Sequence, residues 1–323
     1  MTTATAFGVT LGPCDDMRAE VFVRLPPPAA AQGGEPPRLE GVLTGPECRL
    51  ATTLPATARL VDLGPPPPGA VARDLVARVV LTEPAFWAPE LPNRYRLEGR
   101  IRAGDAVVGT FGGWVGLRRL GARGRSFRLD GRRWVPRGTR IDGAAFDVAD
   151  LRSQATVAVM VDPDDGICSR ADVEGVAIIA ALGADGGGPP AVAEVARRIA
   201  AWAAHPAVML ALLPAGMSAT DAEAVAAAAR AGKGTLQVGW TVDASVPPPA
   251  IPPGMDWLAV DVGRDASPHP AWREAPPPLP LVACGAAAGG RAACDALQAS
   301  LAAWGLAGGG DRVPWEWAGY VVW

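Results

Sequence analysis

Apolar and polar positions follow one period in the first third of the chain and another in the remainder. Up to about residue 114 the apolar runs are short and alternating. Arg18 to Leu25 places Val21, Val23 and Leu25 on one face, and Arg38 to Leu43, Ala56 to Leu63 and Leu75 to Leu81 follow, separated by proline-rich turns. A period of two broken by frequent turn residues predicts an antiparallel β-sandwich. Pro84, Pro89 and Pro92 each remove a backbone donor and fix φ, so Trp87 belongs in a rigid corner and not in a central strand. Tyr95 to Ile101 and Ala106 to Val115, either side of Ala103-Gly104-Asp105, read as a hairpin. Phe127 to Val135 reads as a second one, turning on Asp130-Gly131, where both positions need φ > 0.

From Gly138 onward the pattern changes to apolar runs alternating with helical patterns, which predicts a parallel sheet covered by helices. The strands are expected at Gly138 to Ile141, Thr156 to Val161, Val176 to Leu182 and Val208 to Leu213, then Thr235 to Thr241, Trp257 to Val262, Leu279 to Cys284 and Gly319 to Val322. Eight parallel strands imply a (β/α)8 TIM barrel, here compact. Ala191 to Ala204 carries Val192, Val195, Ile199 and Trp202 on one stripe and stops at His205-Pro206. Thr220-Asp-Ala-Glu223 reads as a capping box opening an alanine-rich helix that ends at Gly232, and Cys294, Leu297, Leu301 and Trp304 form a further helical stripe. The expected organisation is a β-sandwich over residues 1–114 and a barrel over residues 115–323, with residues 81–140 as the hinge.

Composition adds little beyond a globular class: hydrophobic residues make up 49% of the 323 and mean hydropathy is positive. Prolines gather in stiff connectors at Pro26 to Pro28, Pro65 to Pro68, Pro247 to Pro249 and Pro276 to Pro278. The net charge is only −3, but nine arginines crowd between Arg118 and Arg140. With no aromatic residues interleaved in the manner of a stacking platform, they read as solvated hairpin and ion-pair positions, not as a nucleic-acid surface. Five cysteines at no zinc-binding spacing imply buried thiols in a reducing compartment, and no leader or membrane-spanning run is seen, so a cytoplasmic location is expected.

Three linked segments resemble glycoside hydrolase family 2, the β-galactosidase, β-glucuronidase and β-mannosidase family. Phe86-Trp-Ala-Pro-Glu-Leu-Pro-Asn-Arg-Tyr95 is similar to its "lWsPe.P.lY" corner. Val115-Gly-Leu-Arg118 is similar to its "GfR" step, and Phe127 to Gly138 to its "f.lNGkp..lrG" hairpin. Ala171-Asp-Val-Glu-Gly175, Ala204-His-Pro206, Pro280-Leu-Val282 and Ala318 to Trp323 extend the resemblance to the terminus. It implies that the sandwich is immunoglobulin-like and the barrel a glycosidase-type one, without room for the amino-terminal jelly roll those enzymes usually carry.

The resemblance also implies where glycosidase chemistry belongs. Retaining enzymes need two carboxyl groups about 5–5.5 Å apart, and in this family they are glutamates at the ends of the fourth and seventh strands. Here Pro214 and Ala215 end the fourth, and Ala283, or Cys284 with a one-residue slip, ends the seventh. Neither position carries a carboxylate. Other acidic groups follow strands at the same barrel face, with Asp162, Asp164 and Asp261 the candidates for relocated catalysis. Asp162-Pro-Asp-Asp-Gly166 is equally a good turn and helix start. Asp142, Trp240, Asp243 and Trp323 are the candidate sugar-binding positions.

His205 reads as a helix-end hydrogen-bonding residue, and Cys284 as a buried inert thiol. Gly186-Gly-Gly188 lacks the Lys-Ser/Thr of a phosphate loop. No cofactor or metal is expected. Three readings follow: a non-hydrolytic relative that binds carbohydrate at the barrel mouth or serves in an assembly, a hydrolase with relocated carboxylates, and a protein-interaction scaffold whose partner the chain does not name.

Overall fold

The computed structural model describes residues 6–28, 35–64, 74–183, 191–287, 289–307 and 315–323. The prolines Pro65 to Pro68 and the glycines Gly186 to Gly188 lie outside the described residues. The chain divides into two compact units, Met1–Arg118 and Arg119–Trp323.

The amino-terminal unit is a sandwich of two four-stranded antiparallel sheets. Its strands are β1 (Gly8–Cys14), β2 (Arg18–Leu25), β3 (Arg38–Glu47), β4 (Ala56–Arg59), β5 (Val61–Asp62), β6 (Leu75–Thr82), β7 (Arg94–Ala103) and β8 (Ala106–Val115). The sheet orders are β1-β2-β6-β5 and β4-β3-β7-β8. Strict alternation in β2 buries Ala19, Val21, Val23 and Leu25, which pack with Leu39, Leu43, Leu97 and Ile101. Trp87 is fully buried in the proline corner, where its N–H donates to the Leu117 carbonyl at 2.6 Å and an isolated bridge joins it to Pro92.

The carboxy-terminal unit opens with a three-stranded meander, β9 (Leu120–Arg123), β10 (Ser126–Leu129) and β11 (Arg132–Trp134). Asp130 and Gly131 make its two-residue turn at φ 49° and 73°, and Arg119 pairs with Asp130 at 2.6 Å. Eight parallel strands then close a barrel in sequential order. They are β12 (Arg137–Arg140), β13 (Val157–Val161), β14 (Ile178–Ala181), β15 (Val208–Leu212), β16 (Gln237–Asp243), β17 (Trp257–Gly263), β18 (Leu281–Gly285) and β19 (Gly319–Val322).

The outer layer holds α1 (Val148–Ser153), α2 (Asp165–Glu174), α3 (Val192–Ala203), α4 (Ala219–Ala229), α5 (Ala271–Glu274) and α6 (Arg291–Leu306). Among the described residues no helix joins β16 to β17, where Pro247 to Pro249, Pro252 and Pro253 remove the donors a helix needs. The expected capping box at Thr220 is displaced. Ser218 caps α4, its hydroxyl accepting from Asp221 N at 3.1 Å and meeting the Asp221 carboxylate at 2.7 Å. Three of the crowded arginines are tied within this unit: Arg125 donates to the Pro276 and Pro277 carbonyls, Arg133 pairs with Glu316 at 2.6 Å, and Arg137 with Asp295 at 2.7 Å. No helix among the described residues is long and apolar enough to cross a membrane.

Candidate functional site at the barrel mouth

Strand alternation decides which residues face the barrel interior. Val242, Leu258, Val260, Leu281 and Ala283 pack with Trp272 of α5 and with Cys294, Leu297 and Leu301 of α6, so they face outward. Their neighbours along each strand therefore face inward. At the carboxyl ends of the strands the register aligns Asp243 with Asp261, and Asp261 with Cys284, in one interior row across β16, β17 and β18. Trp323 follows β19, and its N–H donates to the Gly285 carbonyl at 3.2 Å beside that row.

The floor of the barrel is closed. Trp257 fills the interior opposite Gly239, where a Cβ would overlap its indole, and Phe127 of β10 meets it edge-on at 6.3 Å. Around Gly138 the side chains of Val159, Val321 and Ile179 leave room for nothing larger. The interior is thus a packed core that opens only where the strands end.

The sequence-predicted site residues separate into two groups. Asp243 and Asp261 stand side by side at the mouth and Trp323 follows the strand two places further round the same wall, while Asp162, Asp164 and Trp240 are committed elsewhere. Asp162, at φ 49°, accepts from Gly183 N at 3.1 Å and pairs with Arg198 of α3. Asp164 is the N-cap of α2, accepting from Ile167 N at 2.8 Å. Trp240 lies within β16 on its outward face, packed against the helix layer, with its indole donating to the Met217 carbonyl at 3.0 Å. Asp142 is exposed beyond β12, at the start of a single 3-10 turn that its side chain does not cap.

Each mouth carboxylate also accepts one local N–H: Ser245 N to Asp243 at 2.7 Å, and Gly263 N to Asp261 at 2.9 Å. The bonds from Ser245 hold the Asp243 carboxyl below the usual carboxylate range. Of the two residues at the end of the seventh strand, Ala283 faces the helices and Cys284 the interior. Burial, then the neighbouring Asp261 charge and Cys294, push the Cys284 thiol well above its ordinary pKa. It is a poor source of thiolate.

Two interior positions do not stand out in the sequence. Arg140, the last residue of β12, shares the inward parity of Gly138, and Val161 of β13 stays 47% exposed at the rim. The alternation from Gly138 carries the signal for Arg140, but the surrounding crowd of arginines masks it. Among the described residues no group of three or more His, Cys, Asp or Glu side chains is placed to hold a metal ion.

This architecture is found among solved glycosidases. The chain is similar to a β-glucuronidase from Bacteroides uniformis (12% identity, TM-score 0.63, covering 98% of this chain and 45% of that one). It is similar to a putative β-galactosidase from Bacteroides fragilis (12% identity, TM-score 0.66, covering 98% of this chain and 54% of that one). It is also similar to a glycosyl hydrolase family 2 member from Bacteroides cellulosilyticus (14% identity, TM-score 0.66, covering 98% of this chain and 43% of that one). At such identities the likeness is one of fold, a glycoside hydrolase family 2-like sandwich and barrel, and the chain spans about half the length of these proteins. No known family profile matches the sequence, and no curated protein matches it.

Proposed function

We propose that the chain is a glycoside hydrolase family 2-like protein that binds carbohydrate at the barrel mouth and does not hydrolyse it. The observation that carries this reading is the pair of strand ends where family chemistry belongs. Beyond β15 stand Leu213, Pro214 and Ala215, and β18 ends in Cys284 and Gly285. Glycoside hydrolysis needs one carboxyl group to protonate the leaving oxygen and another on the opposite side of the scissile bond. Asp243 and Asp261 stand on adjacent strands of one wall, each already accepting from its own loop. That arrangement supports hydrogen bonding to a polyol better than attack from two sides.

The indole of Trp323 supplies an apolar face of the kind a sugar ring stacks upon, and Asp243, Asp261 and Arg140 supply acceptors and a donor. Titration of the protein with monosaccharides, glucuronic acid among them, tests the reading. Trp323→Ala is expected to weaken binding about tenfold, and Asp243→Asn to weaken it by a smaller factor. Saccharide binding that neither substitution changes would contradict a mouth site.

A further inference from the structure

We propose a second saccharide site on the carboxy-terminal unit, in a cavity at the end of the barrel opposite the mouth, selective for neutral sugars over charged ones. The cavity, of about 570 Å3, lies between the carboxyl end of α6 and the starts of β12 and β19. That volume is in the range of small-molecule sites. Nothing in its wall belongs to the mouth described above.

The chemistry of the wall selects the ligand. Trp304, Trp315, Trp317 and Tyr320 give it aromatic surface, with Trp315 and Trp317 edge to face at 5.0 Å. Such surface accommodates the C–H face of a pyranose ring. The charged groups beside it are already matched: Arg133 with Glu316 at 2.6 Å, and Arg137 with Asp295 at 2.7 Å and Gln298 at 2.6 Å. A charged ligand meets side chains whose charge is already balanced, so it gains little from them. Hydroxyl groups, which donate and accept, can use the remaining donors and acceptors of both partners.

Calorimetric titration of the whole chain with cellobiose, galactobiose and, as the charged comparator, glucuronic acid tests this. Ala302, exposed on α6 at the cavity wall, offers a variant that removes no buried contact: Ala302→Trp fills the space from outside. The expected result is neutral disaccharide binding that weakens about tenfold or more in Ala302→Trp and in Gln298→Ala, and that survives Trp323→Ala at the mouth. Unchanged melting temperatures in Ala302→Trp separate blocking from unfolding. The proposal is overturned by neutral disaccharides that do not bind, by binding indifferent to Ala302→Trp, or by glucuronic acid binding more tightly there than the neutral sugars. Binding lost in Trp323→Ala and kept in Ala302→Trp would leave the mouth reading standing and this one refuted.

Discussion

Replacing Asp172 with alanine should lower the unfolding free energy by about 3–5 kcal/mol, the usual cost of removing one partner of a buried charged pair. Asp172, on α2, is 8% exposed and serves two clients: the His205 ring, Nδ1 to Oδ2 at 2.8 Å, and Ala207 N, which donates to Oδ1 at 2.9 Å. His205 reaches Asp165 through Nε2 at 3.1 Å, so the imidazole joins the helix-end turn before β15 to α2. Asp172→Asn keeps an acceptor for Ala207 N and should cost less, about 1–2 kcal/mol.

The pH dependence of that effect has a definite sign. Burial alone would lower the His205 pKa, but the hydrogen bond and charge of Asp172, joined by Asp165, outweigh it and raise the pKa above its ordinary value. A raised pKa in the folded state means that the charged ring stabilises the fold. That contribution is complete below the unfolded pKa of about 6.5 and is lost as pH rises through the folded value. Urea unfolding on the acidic and alkaline sides of neutrality should therefore show a larger gap between wild type and Asp172→Ala at the lower pH. An equal gap at both would mean that the charge of His205 contributes nothing and that the hydrogen bonds of Asp172 carry the whole effect.

Trp257→Ala is expected to cost about 3–5 kcal/mol, as for large aromatic residues removed from a core. The indole fills the closed end of the barrel against Phe127, donates to the Gln237 carbonyl at 3.1 Å and lies over Gly239. Gly239→Val should destabilise for the converse reason, since its side chain would overlap the same ring. The double variant should then be more stable than the sum of the single losses, because the valine occupies space the indole has left. Strict additivity in a denaturant-measured cycle would mean that the two positions do not share that space.

Much of the barrel is legible in the sequence because a strand buried on both faces reads as a continuous apolar run. Val208–Leu212 is buried at every residue, and its apolar run ends within one position of the observed strand end. β1 escapes sequence reading because Gly8-Val-Thr-Leu-Gly-Pro-Cys14 contains two glycines and a proline and its pairing slips between Leu11 and Cys14. The cap of α4 lies two residues before the one the sequence suggests, since Ser218 and Thr220 both suit that role and only backbone geometry chooses between them.

The site is harder to read for a different reason. Whether Ala283 or Cys284 faces the interior, and whether Trp240 does, is set by register against neighbouring strands, where a shift of one residue exchanges the two faces. The commitment of Asp162 to Arg198 joins residues far apart in sequence, which no local pattern announces.

Release of nitrophenol from β-linked nitrophenyl glucuronide, galactoside and mannoside by the purified chain, from acidic to neutral pH, tests the proposed lack of hydrolysis most directly. The expected result is release no faster than in buffer, for wild type and for Asp162→Asn and Asp261→Asn alike. Turnover by the wild type that either substitution abolishes would contradict it and place relocated catalytic carboxylates at the strand ends.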